Sequence, residues 1–158
     1  MAYFNTTPRL KSSATQVVTA SSAYSSGNCV GGLITFTNAT NNWGSGYIES
    51  IVVRDKAGQS SNYELWLFDA NPSATTVTDK SAIAVNTADL AKCIGVVAMS
   101  AVKLGASSTM AVTTATGVFL SFSAGLGNTS LYGILVTRST PTYASTADVT
   151  VAITVNPN

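Results

Sequence analysis

The chain has 158 residues, a net charge of +1, and a composition that is 46% hydrophobic and 9% charged, where about 25% charged residues is typical of a soluble domain. This length predicts one domain with a substantial core. The eight Lys and Arg residues are scattered singly, which argues against a nucleic-acid partner, and no apolar run is long enough to predict a membrane span.

Serine and threonine replace the missing charges and account for 42 of the 158 residues. A surface made of hydroxyl groups forms hydrogen bonds, yet it can dock on another protein without removing water from ions, which is the costly step in burying polar surface. The composition therefore favours a protein that packs against other proteins.

Residues 1–16 are polar, contain Pro8 and show no period of 2 or 3.6 residues. We expect an extended N-terminal arm, followed by one domain over residues 17–158. The arm is interpreted either as a frayed terminus or as a tether to a partner. Tyr3 and Phe4 favour a contact, since aromatic rings gain little from exposure to water.

Short strands are predicted at Gln16–Thr19 and Cys29–Thr37, followed by the turn-rich loop Asn38–Gly46 around Trp43. A tryptophan in such a loop is most often a lid over the core and less often a ligand or partner contact. The two cysteines, Cys29 and Cys93, are interpreted as buried reduced thiols, although a disulfide between neighbouring strands stays open.

The runs Ile48–Arg54 and Tyr63–Asp69 flank turn-forming residues and predict a central antiparallel hairpin. The second run is apolar on both faces: Tyr63, Leu65 and Leu67 lie on one side, and Trp66 and Phe68 on the other. Such a strand belongs in the interior of a sheet.

The segment Pro72–Lys92 lacks a strand pattern, and Asn86 is predicted to cap one short helical turn with Asp89 at the third position after the cap. The remaining predicted strands are Cys93–Met99, a hairpin of Thr109–Thr113 and Val118–Ser123, Leu131–Thr137, and a half-buried outer strand Asp148–Val155. About nine strands with little or no helix predict an antiparallel β-sandwich, jelly-roll-like, with an immunoglobulin-like topology as the second choice.

The chain contains no histidine, which excludes Ser–His catalysis and the usual zinc sites. Its seven carboxylates fall mostly at strand ends and in turns, where local capping and solubility explain them. We therefore predict no catalytic, cofactor-binding or metal-binding residues, and a protein that is not an enzyme. The N-terminus also lacks the apolar segment of a secretory signal, so we expect synthesis and use in the cytoplasm, or packing into something assembled there.

Three stretches, Ser50–Ser73, Ile94–Val97 and Leu131–Val155, resemble small proteins encoded near the major capsid genes of tailed bacteriophages, the head decoration or cement proteins. The resemblance implies a β-sandwich, often a homotrimer, that binds the major capsid protein on the capsid exterior where capsomers meet. Its location would be the virion, assembled in the host cytoplasm.

We expect the arm and the loops Asn38–Gly46 and Pro72–Lys92 to make these contacts. The candidate contact residues are Tyr3, Phe4, Arg9, Trp43, Asn86 and Asp89. The alternative function is a carbohydrate- or receptor-binding module of a phage tail fibre or spike that uses Trp43 and neighbouring loops.

Overall fold

A computed structural model describes residues 8–103 and 110–158, and its regular structure is almost entirely β-strand. In these ranges the strands are β1 (Leu10–Thr15), β2 (Ile34–Phe36), β3 (Ser45–Asp55), β4 (Tyr63–Phe68), β5 (Cys93–Met99), β6 (Ala101–Lys103), β7 (Ala111–Ser123), β8 (Leu131–Thr137) and β9 (Val149–Pro157). A 3₁₀ helix, Thr87–Lys92, directly precedes β5.

The strands form two antiparallel sheets in the order of a jelly roll. The large sheet has the order β1-β9-β3-β7-β6, and the small sheet has the order β2-β8-β4-β5. Apart from the extra edge strand β6, these orders arise when a chain passes back and forth between two facing sheets in two Greek keys. The predicted all-β, jelly-roll-like sandwich of about nine strands is confirmed.

The main core lies between the two sheets. Alternate residues of β9, from Val149 to Val155, face Leu65 and Leu67 of β4 and Leu135 of β8 across the sandwich. This pattern follows from the period of two in the strand sequence, which places every second side chain on the inner face.

A second apolar cluster covers the outer face of the small sheet. Phe68, Ile134 and Val136 are buried there, beneath two loops, residues 17–33 and 72–92, which we call the covering loops. Their backbones are joined by hydrogen bonds, for example Cys29 N to Ser81 O at 2.8 Å and Ile83 N to Gly27 O at 3.0 Å. The strands β4 and β8 are therefore buried on both faces, which confirms the interior position predicted for β4.

The predicted central hairpin is wrong, because its two strands lie in different sheets. β3 pairs with β7 and β9, whereas β4 pairs with β5 and β8. Residues 56–62 cross between the sheets, and the Asp55 carboxylate fixes the start of this crossing by accepting bonds from Ala57 N and Gln59 N. The prediction failed because two apolar runs joined by a turn have the same sequence pattern whether they pair within one sheet or lie in two facing sheets.

Part of the expected arm is a strand. Leu10–Thr15 forms β1 and pairs with β9 from Leu10↔Val155 to Thr15↔Thr150. One inward-facing residue is Ser12, whose buried hydroxyl donates to Thr37 O at 2.8 Å. Because this inner residue is polar, the sequence of β1 lacks the alternation of apolar and polar residues that predicts a strand. The strand predicted at Gln16–Thr19 is not formed.

Further corrections concern β2, β7 and β9. The strand predicted over Cys29–Thr37 is only Ile34–Phe36. The hairpin predicted across Thr114–Gly117 is one long strand, with a register shift opposite Ile48/Ser50 and positive φ at Gly117 and Phe119, so the chain kinks there without reversing. β9 is half-buried as predicted, but it lies between β1 and β3 and not at an outer position.

Candidate docking surface

The outer face of the large sheet carries short polar and small apolar side chains that are exposed or half-buried. Strand register fixes which residues share this face, because partners directly opposite in a ladder point to the same side. We call this surface the open face. Its members are Lys11, Ser13 and Thr15 of β1, Thr150, Ala152 and Thr154 of β9, Ser50, Val52 and Arg54 of β3, and Val112, Thr114 and Thr116 of β7.

A shallow depression of about 250 Å³ lies on the open face across β1, β9 and β3. Its floor is the row Ser13–Ala152–Val52, in which each residue is opposite the next. The side chains of Lys11 and Arg54 line it from opposite corners. The small Ala152 at the centre, among longer neighbours, produces the hollow.

All seven carboxylates of the chain bind groups of the chain itself. Three are in ion pairs, Glu49 with Arg9, Asp89 with Lys92 and Glu64 with Arg138. The other four accept hydrogen bonds from backbone amides or hydroxyls: Asp55, Asp69, Asp79 and Asp148. Each side-chain carboxylate therefore has a partner within its own molecule.

Among the side chains that the structure describes, three exposed cations on or next to the strands of the large sheet lack an ion-pair partner. Lys11, Arg54 and Lys56 are exposed, and none of them forms an ion pair with any described carboxylate. The cations appear scattered in the sequence, yet the pairing of β1 and β3 through β9 brings Lys11 and Arg54 to one depression. Lys56 follows the end of β3 and does not line the depression.

Two rings extend the surface along β3, the half-buried Tyr47 and the exposed Phe119. Tyr47 lies opposite Asn156, whose side-chain amide donates to the Tyr47 hydroxyl at 2.6 Å. The ring of Phe119, 67% exposed, packs on Tyr47 with 5.5 Å between centroids. Both rings lie towards the start of β3, next to the loop that carries Trp43.

That loop and residues 124–129 form a rigid apolar tip. Trp43 is 70% exposed and Leu126 80% exposed. Gly127 N donates to Asn42 O at 2.9 Å, and Gly44 lies so close to the Gly125 carbonyl that a β-carbon would collide with it. Gly44 also has a φ of +67°, which favours glycine. Trp43 is thus presented outwards and is not a lid over the core.

The other predicted contact residues at the N-terminus are Tyr3, Phe4 and Arg9. Tyr3 and Phe4 lie outside the described residues. Arg9 is largely exposed and its Nε is 2.9 Å from Glu49 Oε2. Arg9 therefore lies at the surface, with its guanidinium already paired to Glu49.

Asn86 and Asp89 organise a covering loop. Asn86 caps the 3₁₀ helix by accepting from Ala88 N at 2.9 Å, as predicted. Asp89 is buried and accepts bonds from Ala74 N and the Thr75 hydroxyl. The hydrogen bond from Lys92 lowers the pKa of the Asp89 carboxyl. Asp89 therefore acts inside the fold and presents no surface for direct contact.

Sequence patterns missed the depression although one part of it was visible. The alternation of the last strand places Thr150, Ala152 and Thr154 on the side opposite the core. The strands on either side of β9 could not be named from the sequence, because one was hidden by Ser12 and the other was assigned to a hairpin. Lys11 and Arg54 therefore could not be recognised as neighbours.

In the described ranges, no three His, Cys, Asp or Glu side chains come together in a way that could hold a metal ion. Cys29 and Cys93 are both free thiols; Cys29 is buried, whereas Cys93, which was expected to be buried, is half-buried. The same ranges contain no helix with the length and hydrophobicity required to cross a bilayer. Comparison of the chain with protein-family models, with curated proteins and with solved structures finds no match.

Proposed function

We propose that the chain is a structural virion protein that decorates the outer surface of a tailed-phage head between capsomers and stabilises the shell. The observation that carries this proposal is the open face, a sheet surface of hydroxyl and small apolar side chains without a described covering segment. The other sheet of the same molecule is covered by two loops and a second apolar cluster. This asymmetry suits a protein with one docking side, the open face. The proposal therefore replaces the expected capsid contact of the loop 72–92, which covers the opposite sheet.

The chemistry of the open face favours docking on protein. Most of its side chains are Ser, Thr, Val and Ala, which pack closely and cost much less to dehydrate than charged groups, provided that the hydroxyls find hydrogen-bond partners on the other protein. Exposed Phe119, Trp43 and Leu126 at one end supply apolar anchors, and aromatic anchors contribute a large share of the binding free energy at interfaces. Each bound copy would bridge neighbouring subunits.

Stabilisation of the shell then follows from mass action. A protein that binds the assembled capsid, but not free subunits, shifts the equilibrium towards the closed shell, by about 2.7 kcal/mol per site at a hundredfold excess over Kd. The protein would act as a homo-oligomer, in keeping with the trimers of the resembling family. Sedimentation velocity should then give about three times the chain mass of 16.2 kDa.

The test is co-sedimentation with capsids assembled from the major capsid protein of the same genome. Ala152→Trp fills the depression at the centre of the open face and should abolish binding. Ala84→Trp makes the same change at an exposed position in the covering loop 72–92 and should bind like wild type. Equal binding by both variants would contradict docking through the open face.

A second candidate function, a carbohydrate- or receptor-binding module of a tail fibre or spike, is favoured by one observation. The Trp43 ring is 70% exposed on a loop that is fixed by the close approach of Gly44 to the Gly125 carbonyl and by the hydrogen bond from Trp43 N to Asn41 Oδ1. Exposed rings on rigid loops stack on sugars. Saturable binding on a glycan array that Trp43→Ala abolishes, together with no binding to capsids, would support this function in place of decoration.

A further inference from the structure

We propose that the depression between Lys11 and Arg54 receives a carboxylate side chain, an Asp or Glu, of the protein on which the open face docks. This inference rests on the proposed function, because it names the chemistry of the capsid surface that meets the open face.

The shape of the depression fits one side chain. Lys11 and Arg54 lie two strands apart, about 10 Å across the sheet, and four residues apart along it, about 14 Å. Both side chains nevertheless line the same hollow of about 250 Å³. A group bound over Ala152 is thus within reach of a cation from either corner.

The donors match a carboxylate. Arg presents a planar fork of N–H groups, Lys presents an ammonium, and both bind carboxylate oxygens. Ser13 and Thr154, which also line the hollow, offer hydroxyl donors for the remaining lone pairs. A carboxylate in this position would be hydrogen-bonded as well as charge-paired, which is the condition under which a buried charge is tolerated.

The distribution of charge argues against a second copy of this chain as the occupant. All seven carboxylates already bind groups within their own molecule. Another copy would have to share or weaken one of these interactions to supply the anion, since six of the seven carboxylates have a contact of 2.9 Å or shorter and only Asp69 is held by a single long one. A different protein with free surface carboxylates meets the requirement without that cost.

The number of cations argues against nucleic acid. A phosphate backbone is bound by several cations that follow its track, whereas Lys11 and Arg54 are the only cations of the described residues that line this depression. Two cations around a hollow with a small-residue floor suit a single point of negative charge on a protein surface.

The experiment is a capsid-binding titration of Lys11→Gln and Arg54→Gln at several salt concentrations. Each variant should bind about tenfold more weakly or worse, as expected when one partner of a desolvated charge pair is removed, and with a shallower dependence on salt. Lys56→Gln is the matched control, since it removes an exposed cation that lies outside the depression, and it should bind like wild type.

A second arm tests the carboxylate itself. Converting the surface carboxyls of the capsid to amides with a carbodiimide and glycinamide should reduce wild-type binding to the level of the Lys11→Gln, Arg54→Gln double variant. Competition by a DNA oligonucleotide at equal charge concentration should be weak. Strong competition by DNA, or an equal loss for Lys56→Gln, would replace the inference with diffuse binding to polyanions.

The outcomes separate this inference from the proposed function. If Ala152→Trp abolishes capsid binding while both Gln variants bind like wild type, the open face docks but no carboxylate enters the depression. If wild type itself does not bind capsids, both proposals fail.

Discussion

Asp79 joins the two covering loops at a single carboxylate. It accepts hydrogen bonds from Thr19 N at 2.8 Å, the Tyr24 hydroxyl at 2.7 Å and Gly31 N at 2.6 Å. These donors belong to residues 17–33, while Asp79 belongs to residues 72–92. A long segment without strand pattern is in this way fixed to a neighbour, and the small sheet stays covered.

Replacing Asp79 by Ala should lower the free energy of unfolding by about 3 kcal/mol, because donors in the interface between the loops lose a charged acceptor. Urea unfolding followed by circular dichroism measures this change. Asp69→Ala is the control, since that carboxylate has one long contact, 3.4 Å to Ser123 N, and should change stability by less than about 1 kcal/mol. Similar losses for both variants would argue against the anchoring role of Asp79.

Three buried tyrosines are expected to lower the stability of the fold at alkaline pH. The hydroxyls of Tyr63 and Tyr143 are 3.1 Å apart, and the rings of Tyr24 and Tyr143 meet edge to face at 5.2 Å. Burial raises the pKa of Tyr63 to about 12 and also raises the pKa of Tyr24 and of Tyr143. In the unfolded chain these groups titrate near a pKa of about 10.

Because the folded pKa values are the higher ones, the stabilising contribution is complete below about pH 10 and is lost as pH rises towards 12. We predict a free energy of unfolding that changes little between pH 7 and 9 through these groups and falls above about pH 10. A tyrosinate titration should show the buried group ionising only when the protein unfolds. Ionisation of all six tyrosines near pH 10 in the folded protein would contradict their burial.

At the scale of elements, strands with both faces apolar were the easiest to predict. β5 and β8 have the predicted bounds, Cys93–Met99 and Leu131–Thr137, because each is a continuous apolar run. Burial on both faces explains the run in β8, whereas β5 is an edge strand on which Val96 is 44% exposed. The polar inner residue of β1 and the bend in β7 account for two of the errors. In both places a local irregularity replaces the alternation on which the prediction depends.

The two tryptophans allow a direct comparison between a packed ring and an exposed one. Trp66 of β4 packs in the cluster beneath the covering loops, so Trp66→Ala should lower the free energy of unfolding by about 3 kcal/mol. Trp43→Ala should change it by less than about 0.5 kcal/mol, since that ring is mostly in solvent. Unfolding midpoints in denaturant, followed by circular dichroism, would compare the two variants. Equal midpoints would contradict the packing of Trp66 in the cluster beneath the covering loops.

At the scale of the whole molecule, the two sides of the sandwich differ in what covers them. Composition predicted a surface poor in ions that packs on protein, and strand counting predicted the sandwich. Neither could place Lys11, Ala152 and Arg54 around one hollow, because that depends on strand pairing between residues more than 90 positions apart in the sequence. The open face is therefore a product of topology, while its chemistry is a property of composition.

The most direct test of the account is a cryo-EM reconstruction of capsids decorated with this protein. We predict density between capsomers in which β1, β9 and β3 face the shell and the covering loops point to solvent. Density with the covering loops against the shell, or capsids that stay bare at saturating protein, would contradict the account.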